Sequence, residues 1–388
     1  MDGILKFVKD NRLNSIILFA VYFVINLLFL TKYGIRQSFI PLSILVAVFA
    51  VGNAVMFFLG KWSGFKKIVS AKLVYILIGC IAVAYIAMCH VMKDPYKMNI
   101  DRWQTLEFSL EYWIKGKYIY DTPNFMGNLS SYLPGQLLIS SIFYFLGNVG
   151  YLQVGAFLLF SYTICLEFKS NFIRFIAVLM LGVSLAYIYD VVCKSDFIAS
   201  FIAVAAFMLL WHSRFKHDYF QKPLLLGVSI GILCLTRSVV IIPLIIFLLR
   251  PFLLTRWEKR IKFGISFLLT VGILLATVFL PAKSLDHLLH YNPLTLQGQS
   301  NKYVMLFFIV LAIISSLYAK RIEMVFYFSA YITFLVMVSF VTEKYLILGF
   351  SFQSNFFSTT YLAACLPFCI IGYCYTKRKE SDAIDQPQ

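Results

Sequence analysis

Two residues draw attention because their chemistry is costly where they fall. Asp101 stands in the charged stretch NIDRWQTLEFSLEYWIKGKYIYD, residues 99–121, which interrupts long apolar runs. Arg237 stands alone inside another apolar run, LLLGVSIGILCLTRSVVIIPLIIFLL. A carboxylate at the start of a helix can cap it, and Asp101-x-x-Gln104 fits a capping box. The same carboxylate can also point into a cavity and act on a ligand, so the two roles are compatible. An arginine in hydrocarbon costs at least ~2.5–3.5 kcal/mol on insertion scales, which favours a functional role over a decorative one. Its alternatives are pairing with backbone carbonyls or snorkelling to an interface. Lys194 and Asp196, in CKSDF, head a further apolar run. They read either as ligand contacts or as a solvated loop pair.

The elements that must hold these groups are membrane helices. Of the 388 residues, 61% are hydrophobic and 13% charged, against roughly a quarter charged in soluble domains. Runs such as SIILFAVYFVINLLFL approach the ~20 apolar residues that cross a bilayer. The expected fold is all-α, a polytopic membrane protein of about 11–12 transmembrane helices. Spans are expected at 14–31, 38–60, 72–92, 149–166, 172–189, 195–211, a hairpin over 223–249, then 261–280, 302–318, 322–340 and 355–375. Residues 1–376 are expected to form one transmembrane domain, with 93–148 as its first large outer loop, and 377–388 a cytoplasmic tail, of which the polar ESDAIDQPQ is expected to be disordered.

The net charge of +16 is a topology signal and not a nucleic-acid footprint. Basic residues cluster at Lys6/Lys9/Arg12, Lys61/Lys66/Lys67/Lys72, Lys169/Arg174, Arg214/Lys216/Lys222, Arg250/Arg256/Lys259/Arg260/Lys262, Lys320/Arg321 and Lys377/Arg378/Lys379. Placing these clusters in the cytoplasm satisfies the positive-inside rule and puts both termini there. The run around Arg237 has basic clusters on both flanks; an even number of crossings keeps both inside, whereas the alternative, one long tilted helix with a buried arginine, puts one flank on the wrong side. Each half is ~20 Å long, short of the ~30 Å core, so the halves should meet near Thr236-Arg237-Ser238. SSYLPGQLLISSIFYFLGN is read as a helix at the outer interface, because a crossing there would export every later basic cluster.

Within 99–121, Trp103, Leu106, Leu110 and Trp113 share one helical stripe. Glu107 and Glu111 fall on the wet face, and Gly116 stops the helix. This predicts an amphipathic helix on the membrane, tryptophans at headgroup depth. The eight cysteines form no CxxC pair and read as packing residues. Asp286, His287 and His290 lack a third strong partner for a metal. Asn128-Leu-Ser is a glycosylation sequon by pattern only.

The order of these phrases resembles the glycosyltransferase C superfamily, polytopic enzymes that take sugars from polyprenyl-phosphate carriers. The matching positions are Asp101, Gly116, Tyr118 or Tyr120, Tyr132 and Pro134 in the first outer loop. Later matches are Asp196 at the head of a span, Gly227, Gly231, Thr236 and Arg237 in the hairpin, and Tyr361 and Pro367 in the closing helix. The chain departs from the family in having two extra early spans. A single Asp101 beside Arg102 also replaces the usual double acid, which puts a metal site in doubt.

The resemblance implies displacement at the anomeric carbon of a polyprenyl-phosphate sugar by an acceptor hydroxyl. Asp101 is the implied general base. Arg237, Lys194, Asp196, Tyr118, Tyr120, Tyr132 and Arg102 are the implied substrate-binding set, with Arg237 on the phosphate. The partners implied are the lipid-linked donor, a glycan or glycolipid acceptor and the bilayer, with no nucleic acid. No cofactor is implied with certainty; a divalent cation stays open. The expected setting is a bacterial inner (plasma) membrane. The rivals are an O-antigen-type polymerase, for which the outer side has few arginines, and a lipid-linked saccharide flippase or transporter, for which an internal repeat is missing.

Overall fold

A computed structural model describes residues 10–59, 66, 68–92, 94, 96, 101–297, 300–349 and 356–384. The expectations for Lys6, Lys9, Lys61, Lys67 and the last four tail residues lie outside the described residues. In chain order the helices are α1 (Asn11–Gly34), α2 (Leu42–Leu59), α3 (Ala71–Val91), α4 (Asp101–Ile114), α5 (Pro134–Phe145), α6 (Tyr151–Glu167), α7 (Asn171–Gly182) and α8 (Leu185–Val192). They continue as α9 (Phe197–Phe215), α10 (Pro223–Cys234), α11 (Ile241–Leu254), α12 (Trp257–Phe279), α13 (Leu285–His290), α14 (Lys302–Tyr318), α15 (Ile322–Leu348) and α16 (Leu366–Ile384). Short 3-10 stretches at Ser238–Val240 and Phe356–Cys365 lead into α11 and α16. Among the described residues the one β feature is an isolated bridge between Pro123 and Leu129.

The chain is a multi-pass integral membrane protein. Among the described residues seven helices are long and apolar enough to cross a bilayer, and α7 with α8 makes an eighth if that bent pair is one span. Exposure sorts them into layers. In α2 only Asn53 and Met56 are buried, and in α12 only Ser266 and Val278. Leu268, Leu269 and Ile273 of α12 lie on the outside, a surface that only lipid covers favourably. By contrast α9, α15 and α16 bury most of their side chains and form the centre.

Three local features shape the region around Asp101. The first is a 54° bend between α7 and α8, where 172–189 is expected as one straight span. Backbone groups freed in hydrocarbon must find partners, and α1 and α3 supply them. Tyr22 Oη donates to Met180 O at 2.8 Å, Tyr85 Oη to Gly182 O at 2.8 Å, and Asn26 Oδ1 accepts from Ser184 Oγ at 2.8 Å and Ala186 N at 3.2 Å. The second is the reversal at Leu235–Arg237. Phe220, just before α10, and Phe252, near the end of α11, have ring centroids 5.9 Å apart, so both arms start and finish at one level. Gly227 and Gly231 let α10 lie against α12: a Cβ at Gly227 would collide with Ser266 Oγ and Phe263 O. The third is the entry to α5, where a Cβ at Gly135 would strike the Ile232 carbonyl. Gln136 N donates to Leu235 O at 3.1 Å, tying α5 to the hairpin tip.

Two expectations change. The apolar stripe of α4 faces protein: Trp103 is 6% exposed, Leu106 and Leu110 are fully buried, and they cluster with Tyr120, Leu137 and Val278. Trp103 is therefore covered by protein and not by lipid, because the loop folds back over the ends of α5 and α12. The tail is helical as far as Ile384, extending α16, where Lys377 meets Glu380 at 2.8 Å and Arg378 meets Glu167 at 3.1 Å.

Candidate functional site

Six segments converge on one cavity of about 270 Å³, one of them contributing only Leu296. The first turn of α4 brings Asp101 and Arg102, the loop before α5 brings Tyr132, and the head of α9 brings Phe197. The hairpin tip brings Arg237 and the 3-10 stretch before α16 brings Tyr361. Arg237 is there because the chain breaks: its backbone is extended, with φ −150° and ψ 143°. That conformation separates α10 from α11 and turns the side chain inward.

Asp101 is the first residue of α4, one place past where a capping residue sits. Its Oδ2 accepts from Asn128 Nδ2 at 2.9 Å and, at longer reach, from Asn124 Nδ2 at 3.4 Å. Among the described residues Oδ1 is claimed by no hydrogen bond. Asn124 is itself fixed, donating to Thr105 Oγ1 at 2.8 Å and accepting from the amides of Met126 and Asn128 at 2.9 Å each. Gly127, at φ +80°, closes that turn.

The two arginines are partly buried and each is held by a buried carboxylate. Arg237 Nη2 reaches both oxygens of Asp196 at 2.6 Å, and its Nε has no acceptor among the described residues. Arg102 Nη1 lies 3.6 Å from Asp190 and donates to Ser195 Oγ at 3.2 Å, while Nη2 donates to Thr360 Oγ1 at 3.3 Å. Asp190 also accepts from Ile198 N at 2.8 Å. Both guanidiniums stack near Phe197, with Tyr132 beside Arg237 and Tyr361 beside Arg102, all at 5.5–6.0 Å. Of the charges on the cavity wall, only the Asp101 carboxylate has no ion-pair partner among the described residues.

Asp101, Arg102, Tyr132 and Arg237 are thus brought together, and Asp196 stands behind them. Tyr132 Oη donates to Arg102 O at 3.0 Å, and burial, with Asp196 adding, holds its phenol well above the ordinary value. Three residues of the expected set are elsewhere. Tyr118 Oη donates to Tyr291 O at 3.0 Å and Tyr120 Oη to Tyr132 O at 2.9 Å; both are packing residues that brace the loop. Lys194 is 4% exposed, with Nζ 3.3 Å from the Trp103 ring centroid. Burial lowers its pKa below 10.5. Neither Lys194 nor Asp196 is the solvated loop residue that the alternative reading made them.

Sequence reasoning places none of Asp190, Asn124 and Asn128 at the site; Asn128 enters it only as a sequon. The turn signals PN and GN around 123–128 mark the loop, but not the Asp101 contact; Asp190 carries no local signal. His287 Nε2 meets Asp121 Oδ2 at 3.2 Å, and among the described residues no three His, Cys, Asp or Glu side chains converge as a metal site. In comparison with known proteins, no family model matches the chain, and no curated protein or solved structure matches it significantly.

Proposed function

We propose that the protein is a membrane glycosyltransferase of about 11–12 spans, similar in plan to the glycosyltransferase C superfamily. It transfers a sugar from a polyprenyl-phosphate donor to an acceptor hydroxyl on the extracytoplasmic side. The acceptor oxygen attacks the anomeric carbon, and its proton passes to Asp101 Oδ1. The carbon–oxygen bond to phosphate breaks, and polyprenyl phosphate leaves with the bonding pair. Arg237 and Arg102 face the charge that builds on that phosphate. An arginine offers five N–H donors, so a guanidinium holding Asp196 through Nη2 still has others for a phosphate oxygen. Asp190 and Asp196 position the two forks before donor arrives, which removes reorganisation from the chemical step.

One observation carries this reading: a carboxylate with an unclaimed oxygen shares a small cavity with two oriented guanidiniums and aromatic walls. The test is transfer of labelled sugar from a polyprenyl-phosphate donor by the purified protein in liposomes. Asp101→Asn should lower the rate by ~10²–10⁴ with melting unchanged within about 1 kcal/mol. Full transfer by that variant removes Asp101 as the base.

A further inference from the structure

A second cavity, about 790 Å³, lies where α9 ends and the α11–α12 and α14–α15 turns meet. It sits ~25 Å from the hairpin tip, the rise of the 17 residues of Ser238–Leu254. Its wall carries Lys216, Arg250, Arg256, Lys259, Lys320 and Arg321 against a single carboxylate, Asp218. That carboxylate is taken by Lys259, and Arg321 lies 3.4 Å from Glu323. Among the described residues Lys216, Arg250, Arg256 and Lys320 have no ion-pair partner. The positive-inside rule explains why bases are on this end; it does not require them to line a concavity.

Next to it runs a purely apolar cleft of about 230 Å³ between α10, α11 and α12, lined by Ile230, Ile245, Leu248 and Phe263. Phe220 is a wall of both spaces. Cations in a hollow at the end of membrane helices suit a phosphate, and the adjoining cleft suits a hydrocarbon chain. We propose that this paired cavity binds an anionic phospholipid, its phosphate among the four unpaired cations and one acyl chain in the cleft. The site stands apart from the Asp101 cavity and does not depend on the glycosyltransferase reading. A lipid seated there contacts both arms of the hairpin that carries Arg237.

The test uses the full chain, delipidated in neutral detergent, with lipid retention read by native mass spectrometry and melting by fluorescence. Phosphatidylglycerol should bind and raise Tm; phosphatidylcholine should do neither. The triple variant Arg250→Gln/Arg256→Gln/Lys320→Gln should bind phosphatidylglycerol about a hundred-fold more weakly. If that variant does not fold, the exposed pair Lys216→Gln/Lys320→Gln should still weaken binding about ten-fold or more. Ile245→Trp, which fills the cleft, should weaken lipid binding and leave inorganic phosphate binding alone. Equal retention of the two lipids, or unchanged phosphatidylglycerol binding in the charge variants, overturns the proposal. A Tm shift from millimolar inorganic phosphate equal to that from phosphatidylglycerol overturns the lipid as its source.

Discussion

The two cavities use charge in opposite ways. Around Asp101 each arginine is held by its own buried carboxylate, in pairs set by a helix bend and a helix break. At the other end Lys216, Arg250, Arg256 and Lys320 line a cavity without an ion-pair partner among the described residues. The first arrangement fixes directions, because two N–H···O bonds to Asp196 leave the Arg237 fork little freedom. The second attracts from a distance and tolerates disorder in its ligand. One should therefore fail by unfolding or misorientation and the other by loss of field.

The largest contrast comes from removing one carboxylate at each end. Asp196→Asn strands a partly buried guanidinium and should cost about 3–5 kcal/mol, read as a fall in Tm and in monodisperse yield. Asp218→Asn breaks a half-exposed pair with Lys259 and should cost well under about 1 kcal/mol. Equal losses for the two variants would erase the distinction.

A smaller effect separates a fork from a point charge. Arg237→Lys cannot keep both Asp196 oxygens and the stack on Tyr132 and Phe197, so sugar transfer should fall about ten-fold or more with modest loss of stability. Arg250→Lys, in the basic cavity, keeps the charge and should leave phosphatidylglycerol binding within about two-fold. A lysine tolerated at 237 would mean that only charge is needed there.

Ionic strength gives a gentler cut. Raising salt from about 0.05 to 0.5 M shortens the Debye length from roughly 14 to 4 Å. Phosphatidylglycerol retention should drop several-fold, whereas the stability gap between wild type and Asp196→Asn should stay within about 0.5 kcal/mol. A gap that closes with salt would show that the Arg237–Asp196 pair is open to solvent.

How far the sequence reaches also differs between the two ends. The basic end is legible because charge clusters and apolar run lengths are local properties; the span expected at 38–60 is seen at Leu42–Leu59. The hairpin is legible from the same bookkeeping, since Arg237 marks its break. Asp190 is not, because it is one acid in SLAYIYDVV, and the bend that swings it under Arg102 depends on Asn26, 158 residues away from Ser184. Tyr118 and Tyr120 show the reverse. The family resemblance implies them as substrate contacts, yet loop closure turns both hydroxyls onto backbone carbonyls. Asn128 reads as a sequon, and only its turn with Asn124 shows it holding Asp101.

The smallest predicted effect tests Lys194, which has no ion-pair partner among the described residues and leans on Trp103 instead. Burial lowers its folded pKa beneath the ordinary 10.5. Between the lowered value and 10.5 the unfolded chain holds that proton more tightly than the folded one. By linkage, the lysine's contribution to stability therefore improves as pH rises through this window, and is worst below it. Lys194→Met keeps the stem over the indole and removes the charge. Its Tm should equal or exceed wild type at neutral pH, by an increment that shrinks as pH approaches 10.5. The ring contact opposes this, since a desolvated cation over tryptophan is worth up to about 2 kcal/mol. A Tm for Lys194→Met well below wild type at neutral pH would show that the contact outweighs desolvation.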